Sequence, residues 1–215
     1  MAIPFKHRLS TLKPIQLTRP GQFLFRSWAH LYRSRFPYQE LAPLTTIAQS
    51  LSAEEARIHG LLDNHSKQWA GFTYLEFYSS SVLLAYLAIS PDFEEQGLAR
   101  RLVDEQVETC LSTSTPYFWL EANPKLWSFY NKLGFQRIPI PYYIPEFYGK
   151  GTEFMGLFIK THPSVKVVSK QVVEKFVSQL FLKGYGIQDS DPRYQKQMAL
   201  IQTYPQVEFK IEDRY

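Results

Sequence analysis

The run from Val82 to Val103 constrains this chain most: Val-Leu-Leu-Ala-Tyr-Leu-Ala-Ile-Ser-Pro-Asp-Phe-Glu-Glu-Gln-Gly-Leu-Ala-Arg-Arg-Leu-Val. Val82 to Ile89 is almost wholly apolar and bounded by serine and proline, the pattern of a central strand buried on both faces. Pro91 and Asp92 break it. From there Leu98, Leu102, Val103 and Val107 recur at helical spacing. The pattern predicts a strand, a short loop and a helix opening near Gly97. A loop that ends at a helix start presents backbone N–H groups with no intrahelical acceptor, at the positive end of the helix dipole. That place suits an anion, and the small Gly97 and Ala99 let a phosphate come close to the backbone.

At 215 residues the chain is long enough for one well-buried domain and an appendage. An apolar fraction of 45% with 16% aromatics excludes a disordered chain. The net charge of +4 is mildly basic, and the Lys and Arg are scattered rather than run together. Attraction to a polyanionic cofactor accounts for that charge. A nucleic-acid-binding protein is a competing reading, because Trp and Tyr stack on bases, but no basic-aromatic motif supports it. One cysteine, Cys110, excludes an intrachain disulfide and fits a reducing cytoplasm. It is expected on the core side of its helix. The five histidines lack ligand spacing, so no metal site is expected. No apolar run approaches the length of a membrane span, and Met1 to Arg8 lacks the apolar stretch of a signal peptide.

Periodicity and punctuation divide the rest. Leu12 to Leu17 reads as a first strand. Gln22 to Arg35 reads as an amphipathic helix with Phe25, Trp28, Ala29 and Tyr32 on one face. A second short helix is expected after Pro43, and Ser52-Ala-Glu-Glu55 reads as a helix start. Arg57 to Leu62 and Gln68 to Tyr78 form a hairpin, in which Gly71 marks a bulge or a close approach. Tyr117 to Glu121 is another buried strand. Asn123-Pro124 opens a helix that Gly134 closes. Phe135 to Ile138 pairs with Glu153 to Lys160, and Pro139 to Gly151 is a long loop. Helices from Ser169 to Lys183 and from Pro192 to about Tyr204 follow, then an edge strand from Val207 to Ile211. The element order predicts a mixed α/β (α+β) fold rather than a doubly wound one.

Two stretches carry a family resemblance. Trp119-Leu-Glu-Ala-Asn-Pro-Lys-Leu-Trp-Ser-Phe-Tyr-Asn-Lys-Leu-Gly-Phe135 is similar to the pattern Asn-x-x-Ala-x-x-apolar-Tyr-x-Lys-x-Gly-Phe of the GNAT superfamily of acetyl-CoA-dependent N-acetyltransferases. The match runs through Asn123, Phe129, Tyr130, Lys132, Gly134 and Phe135, with Leu126 in the Ala place. Glu94 to Ala99 resembles the family's pyrophosphate loop, Arg/Gln-x-x-Gly-x-Gly/Ala, and departs from it at Glu94 and Glu95. Phe36-Pro-x-x-Glu40 and the run Tyr142-x-x-Pro145, Gly149-x-Gly151, Met155-x-Leu157 are similar to a bacterial branch with a Tyr/Pro-rich loop before the last strand.

The resemblance covers about residues 12–160. It implies a twisted, mostly antiparallel sheet splayed at a central parallel pair, with helices on both faces. Residues 1–160 would then be the acetyltransferase domain. Residues 161–215 would be a C-terminal helical extension, packed on the domain or on a partner subunit as a homodimer. It also implies acetyl-CoA as co-substrate and a primary amine of a small molecule or peptide as acceptor; the scattered charge and the lack of a long apolar run point to no nucleic acid and no membrane as partners. Backbone groups of Gln96, Gly97, Leu98, Ala99 and Arg100 would hold the diphosphate, and those of Ala88 and Ile89 the pantetheine arm. Asn123 would hydrogen-bond the cofactor, though as an N-cap it already has a structural reason. Tyr130 takes the place of the family's acid. A phenol near pKa 10 can pass a proton to a thiolate whose acid is near about 8.5. Either Glu121 or Glu76, both on strands, would be the base. Glu40, Tyr142 and Tyr143 fall on the acceptor side. The two departures in the loop and the extra helices leave a second reading open, a non-catalytic acyl-CoA-binding module.

Overall fold

Runs of apolar and β-branched residues separated by short turns give β1 (Leu12–Leu17), β2 (Ala56–Asp63), β3 (Trp69–Tyr78) and β4 (Ser81–Ile89), neighbours in that order in one sheet. They come from a computed structural model that describes residues 11–21 and 23–212. Chain contacts group these residues into two compact units: one runs to Phe77 and resumes over Leu84–Thr109, the other holds Tyr78–Leu83 and everything from Cys110 on.

In the first unit β1 and β2 pair antiparallel from Leu12↔Asp63 to Leu17↔Ile58. β2 and β3 pair antiparallel with a register shift at Leu61/Leu62, where Gly71 sits opposite Leu61. A Cβ on Gly71 would stand 2.6 Å from Ile89 Cδ1 and 3.0 Å from the Ala88 carbonyl, so bulge and close approach coincide there. The turn after β2 is closed by Asp63. Burial raises its carboxyl, but hydrogen bonds from Ser66 Oγ, the amides of His65 and Ser66, and Thr11 Oγ1 together lower it to about 2.

Helix α1 (Phe23–Arg35) follows the predicted face; Gln22, the expected first residue, and the stretch Met1 to Arg8 lie outside the described residues. Its Trp28 stacks on Tyr32 at 5.1 Å and meets Phe72 edge-on at 5.4 Å. Helix α2 (Leu44–Ser52) starts after Pro43 and buries Ile47 and Leu51. Ser52-Ala-Glu-Glu55 therefore ends a helix instead of starting one. The amides of Ala53, Glu54 and Glu55 close back on Gln49, Leu51 and Ser50 carbonyls, and Glu54 turns the chain at φ 59° into β2. The stretch has helix-start chemistry, but the pairing of β2 with β3 takes the chain from Ala56 on. Helix α3 (Leu98–Cys110) buries Leu98, Leu102, Val103 and Val107 as expected, with Cys110 only half-buried at its end.

In the second unit β5 (Tyr117–Ala122) pairs antiparallel with β8 (Thr152–Thr161). β6 (Gln136–Arg137) and β7 (Tyr142–Pro145) also pair with β8. β7 lies inside the stretch expected to be a loop: Tyr142 and Ile144 supply a buried face, and the pairing Tyr142↔Met155 to Pro145↔Thr152 makes it a strand. β5 stands next to β4 in the sheet order and parallel to it, so a mostly antiparallel mixed sheet with one parallel pair results. At the start of β4, Ser81 Oγ accepts from the Trp119 indole at 3.2 Å. Asn123 Oδ1 caps a 3-10 turn, Pro124–Leu126, that leads into α4 (Trp127–Lys132). Gly134, at φ 81°, ends it.

Two strands not foreseen as a pair, β9 (Val167–Ser169) and β10 (Glu208–Lys210), bracket α5 (Lys170–Gln179), a π-helical turn at Leu180–Gly184, and α6 (Pro192–Thr203). Ser169 and Asp191 cap the two helices. Phe176 of α5 stacks on Trp119 at 4.5 Å and meets Tyr78 edge-on at 5.7 Å, so this apolar face is covered by the chain itself. No helix among the described residues is long and apolar enough to cross a membrane.

Candidate active site

The loop between β4 and α3 is tied down at its middle. Phe93, in a 3-10 turn at Pro91–Phe93, is buried with Leu12, Leu61, Ala70, Leu98 and Leu102. Beyond it the backbone turns left-handed twice, at Glu95 (φ 59°) and Gly97 (φ 75°). A non-glycine residue at positive φ costs about 1 kcal/mol or more, and such outliers concentrate at functional loops. Among the described residues, its two chain neighbours aside, no atom lies within 4 Å of where a Cβ on Gly97 would stand, so the approach to its backbone is open. The first capped turn of α3 is Arg101 N–H to Gly97 O at 3.1 Å, which puts the Leu98 and Ala99 amides ahead of any intrahelical acceptor. Gln96 is pinned by its Nε2 donating to Asp92 O at 3.2 Å; its Oε1 is buried with no partner among the described residues. A diphosphate fits this cradle: open space above a glycine, helix-start amides and a dipole of the right sign.

The two acidic departures do not fill it. Glu94 is paired with Arg35 of α1, which balances its charge, and Glu95 is exposed. Just after β4 the Ser90 amide bonds Ala70 O of β3 at 2.9 Å, and within β4 the Ala88 carbonyl faces Gly71. Backbone groups of adjacent strand residues point to opposite edges, so those of Ile89 point away from β3.

Tyr130 sits on α4 with 6% of its surface exposed, among the rings of Phe129, Phe135 and Phe158. Burial pushes its phenol well above 10. Among the described residues none hydrogen-bonds its hydroxyl. It therefore keeps its proton at neutral pH and is a weaker acid than the ordinary phenol on which the sequence argument drew. Asn123 spends its side-chain oxygen on the Lys125 amide at 3.1 Å.

The structure joins two residues that the sequence had assigned separately. Glu121 lies opposite Leu157 on β8 and Tyr142 opposite Met155, two residues apart on one face. Tyr142 Oη donates to Glu121 Oε1 at 2.5 Å, and Tyr185 Oη to Glu121 Oε2 at 2.8 Å. Tyr143 is held apart from that carboxylate: its amide donates to Gln197 Oε1 at 2.9 Å and its ring lies under Lys196. In the first unit Glu76 lies opposite Ala56, and its charge helps raise the Tyr74 phenol. Glu40 ends a 3-10 turn, and its carbonyl accepts from Tyr86 Oη at 2.7 Å.

Sequence reasoning missed Arg35, Tyr185, Arg193 and Gln197. Arg193 Nη1 donates to the carbonyls of Glu146 (3.2 Å) and Gly149 (3.0 Å), holding the turn between β7 and β8. No local rule reaches across 44 to 64 positions; the nearest signal was the polar Gln197 inside an apolar helix face, which ends 1% exposed and bonded to the Tyr143 amide and Pro141 O.

Four phenols, Tyr74, Tyr86, Tyr130 and Tyr142, are raised above the usual range, first by burial in every case, then by Glu76 for Tyr74, Tyr32 for Tyr86 and Glu121 for Tyr142. In the unfolded chain they titrate near pH 10. Below that value both states hold the proton and the contribution is complete. Above it the unfolded state binds fewer protons, so stability falls as pH rises. Each group takes away about 1.4 kcal/mol per pH unit beyond about pH 10. Urea midpoints should be level up to about pH 9.5 and drop steeply by about pH 11; a midpoint unmoved at the higher value would contradict the burial of these phenols.

Comparison with known proteins follows the same lines. The family model described as acetyltransferase (GNAT) domain matches residues 32–156. No curated protein matches the sequence significantly. Among solved structures, a protein from Bacteroides thetaiotaomicron described as a GNAT-family acetyltransferase superposes with a TM-score of 0.65 at 18% identity, over 82% of this chain and 99% of that one. The ribosomal-protein-S18-alanine N-acetyltransferase of Escherichia coli gives 0.54 at 21%, over 70% and 93%. The spermidine N-acetyltransferase of Vibrio cholerae, in complex with CoA and spermine, gives 0.53 at 17%, over 71% and 96%. At these identities the likeness is one of fold.

Proposed function

The chain belongs to the acetyltransferase (GNAT) family, and from that premise we propose that it moves an acetyl group from acetyl-CoA to a primary amine of a small molecule or peptide, by direct attack in a ternary complex. The observation that carries this is the loop at Glu95–Ala99: two left-handed residues, an unobstructed Gly97 and the leading amides of α3. In this reading residues 1–160 are the acetyltransferase domain, which contains the whole family match, and residues 161–215 an extension.

Each residue then has one task. The amides from Gln96 to Arg100 hold the diphosphate of the co-substrate. The backbone of Ile89 bonds its pantetheine arm and offers an N–H to the oxygen that gains charge as the amine adds to the thioester carbonyl. Glu121, whose carboxylate is fixed by two hydroxyls, accepts the proton of the attacking ammonium, directly or through water; Glu76 is the second candidate. Tyr130 donates to the sulfur as the C–S bond breaks and CoA leaves.

The polyamine and peptide acceptors named for the two N-acetyltransferase neighbours set the first panel to try. Acetyl-CoA, the protein and each of a set of polyamines, amino acids and short peptides are mixed, and free thiol and acetylated amine are followed. Amine-dependent release of CoA, matched by acetylated product, is expected. Saturable CoA binding with no amine-dependent release across the panel would overturn the enzyme reading and leave a binding module.

A further inference from the structure

The pair of hydroxyls on Glu121 comes from two distant places in the chain. Tyr142 belongs to β7, and Tyr185 follows the π-helical turn at Leu180–Gly184, 64 positions after Glu121. Each carboxylate oxygen thus has its own donor, so rotation of the carboxylate about its last bond breaks both. Carboxylates engaged at both oxygens are held in one geometry, as fixed catalytic groups require.

Tyr185 is itself locked. Its ring stacks on Phe147 at 4.9 Å and meets Phe181 edge-on at 5.6 Å. Its amide returns to Leu180 O at 3.0 Å, and Gly186, at φ 66°, turns the chain so that the Ile187 amide reaches Phe181 O. Tyr142 rests on the same segment, because Gln197 holds the backbone on either side of it, at Pro141 O and Tyr143 N.

We infer that Tyr185 is a positioning residue for the reaction: with Tyr142 it fixes the orientation of the Glu121 carboxylate, which makes the segment after residue 161 a working part of the site. This rests on the reading of Glu121 as the base. No bond forms or breaks at Tyr185; the proton from the amine goes to Glu121, and both phenols keep theirs. Among the described residues, Tyr142 of β7 and Tyr185 touch this carboxylate, and the Tyr78 phenol acts on Tyr142. These three are phenols and stay protonated through the acidic range, and the Glu121→Gln control assigns the titrating signal to the carboxylate.

The test uses the full chain and Tyr185→Phe, which deletes one hydroxyl and keeps the stacked ring. The carboxyl carbon of Glu121, assigned by its loss in Glu121→Gln, is titrated by NMR, and kcat and KM are measured beside it. Removing a donor from the ionised form makes protonation easier. The midpoint should rise by about one pH unit in Tyr185→Phe. The kcat should fall about tenfold, with KM for acetyl-CoA unchanged. An enzyme that needs Glu121 but keeps the wild-type kcat or midpoint in Tyr185→Phe overturns this inference alone. Full turnover in Glu121→Gln overturns the base reading and the inference with it.

Discussion

Tyr130→Phe is expected to lower kcat about 100-fold while leaving the affinity for CoA within about twofold of wild type. The substitution removes one oxygen from a side chain packed among Phe129, Phe135 and Phe158, so the fold has no reason to change. No described residue depends on that hydroxyl for a hydrogen bond, which removes the usual structural cost of deleting one. What is lost is the donor to the departing sulfur. Because burial raises the phenol above its ordinary value, Tyr130 stays protonated past about pH 10, so turnover should not decline on its account as pH approaches that value. Single-turnover measurements with saturating acetyl-CoA separate the step from binding. A wild-type rate in the variant would remove Tyr130 from the chemistry.

The largest loss of stability is expected from Trp119→Ala. Trp119 has no exposed surface, stacks on Phe176 at 4.5 Å and donates to Ser81 Oγ. Three contributions go together: the transfer energy of a large ring, the cavity it leaves, and a buried hydroxyl deprived of its donor. Replacement of a buried Trp by Ala costs about 3–5 kcal/mol, and at this chain length each kcal/mol lowers the melting temperature by about 2–4 °C. A drop on the order of 10 °C is therefore expected by calorimetry. Trp119→Phe, which keeps the stacking, should recover more than half of it. A shift under about 3 °C for the alanine variant would mean that the helix carrying Phe176 does not pack as described.

Much of this was legible in the sequence because its signals are local. The apolar run at Val82–Ile89, the helical spacing after Leu98 and the Asn123-Pro124 start each depend on a few adjacent residues, and the structure places strand, helix and cap there. Gly97 is legible for the same reason: its φ of 75° is one a side chain resists. The failures have a common cause. Ser52-Ala-Glu-Glu55 carries helix-start chemistry, but the pairing of β2 with β3 claimed the chain from Ala56. Tyr142 to Pro145 looks like a proline-rich loop, yet β8 offers it an edge. Glu94 stands in the sequence only as a departure from the loop pattern, because its partner Arg35, 59 positions earlier, cannot be seen beside it in one dimension. The grip of Tyr185 on Glu121 is likewise a product of tertiary folding, and no spacing rule announces it.

A titration of CoA into ¹⁵N-labelled protein, followed amide by amide, tests the anion cradle most directly. The expected result is saturable shifts at Gly97, Leu98 and Ala99, reduced when inorganic pyrophosphate competes. Tight CoA binding that leaves those three amides unmoved would contradict it.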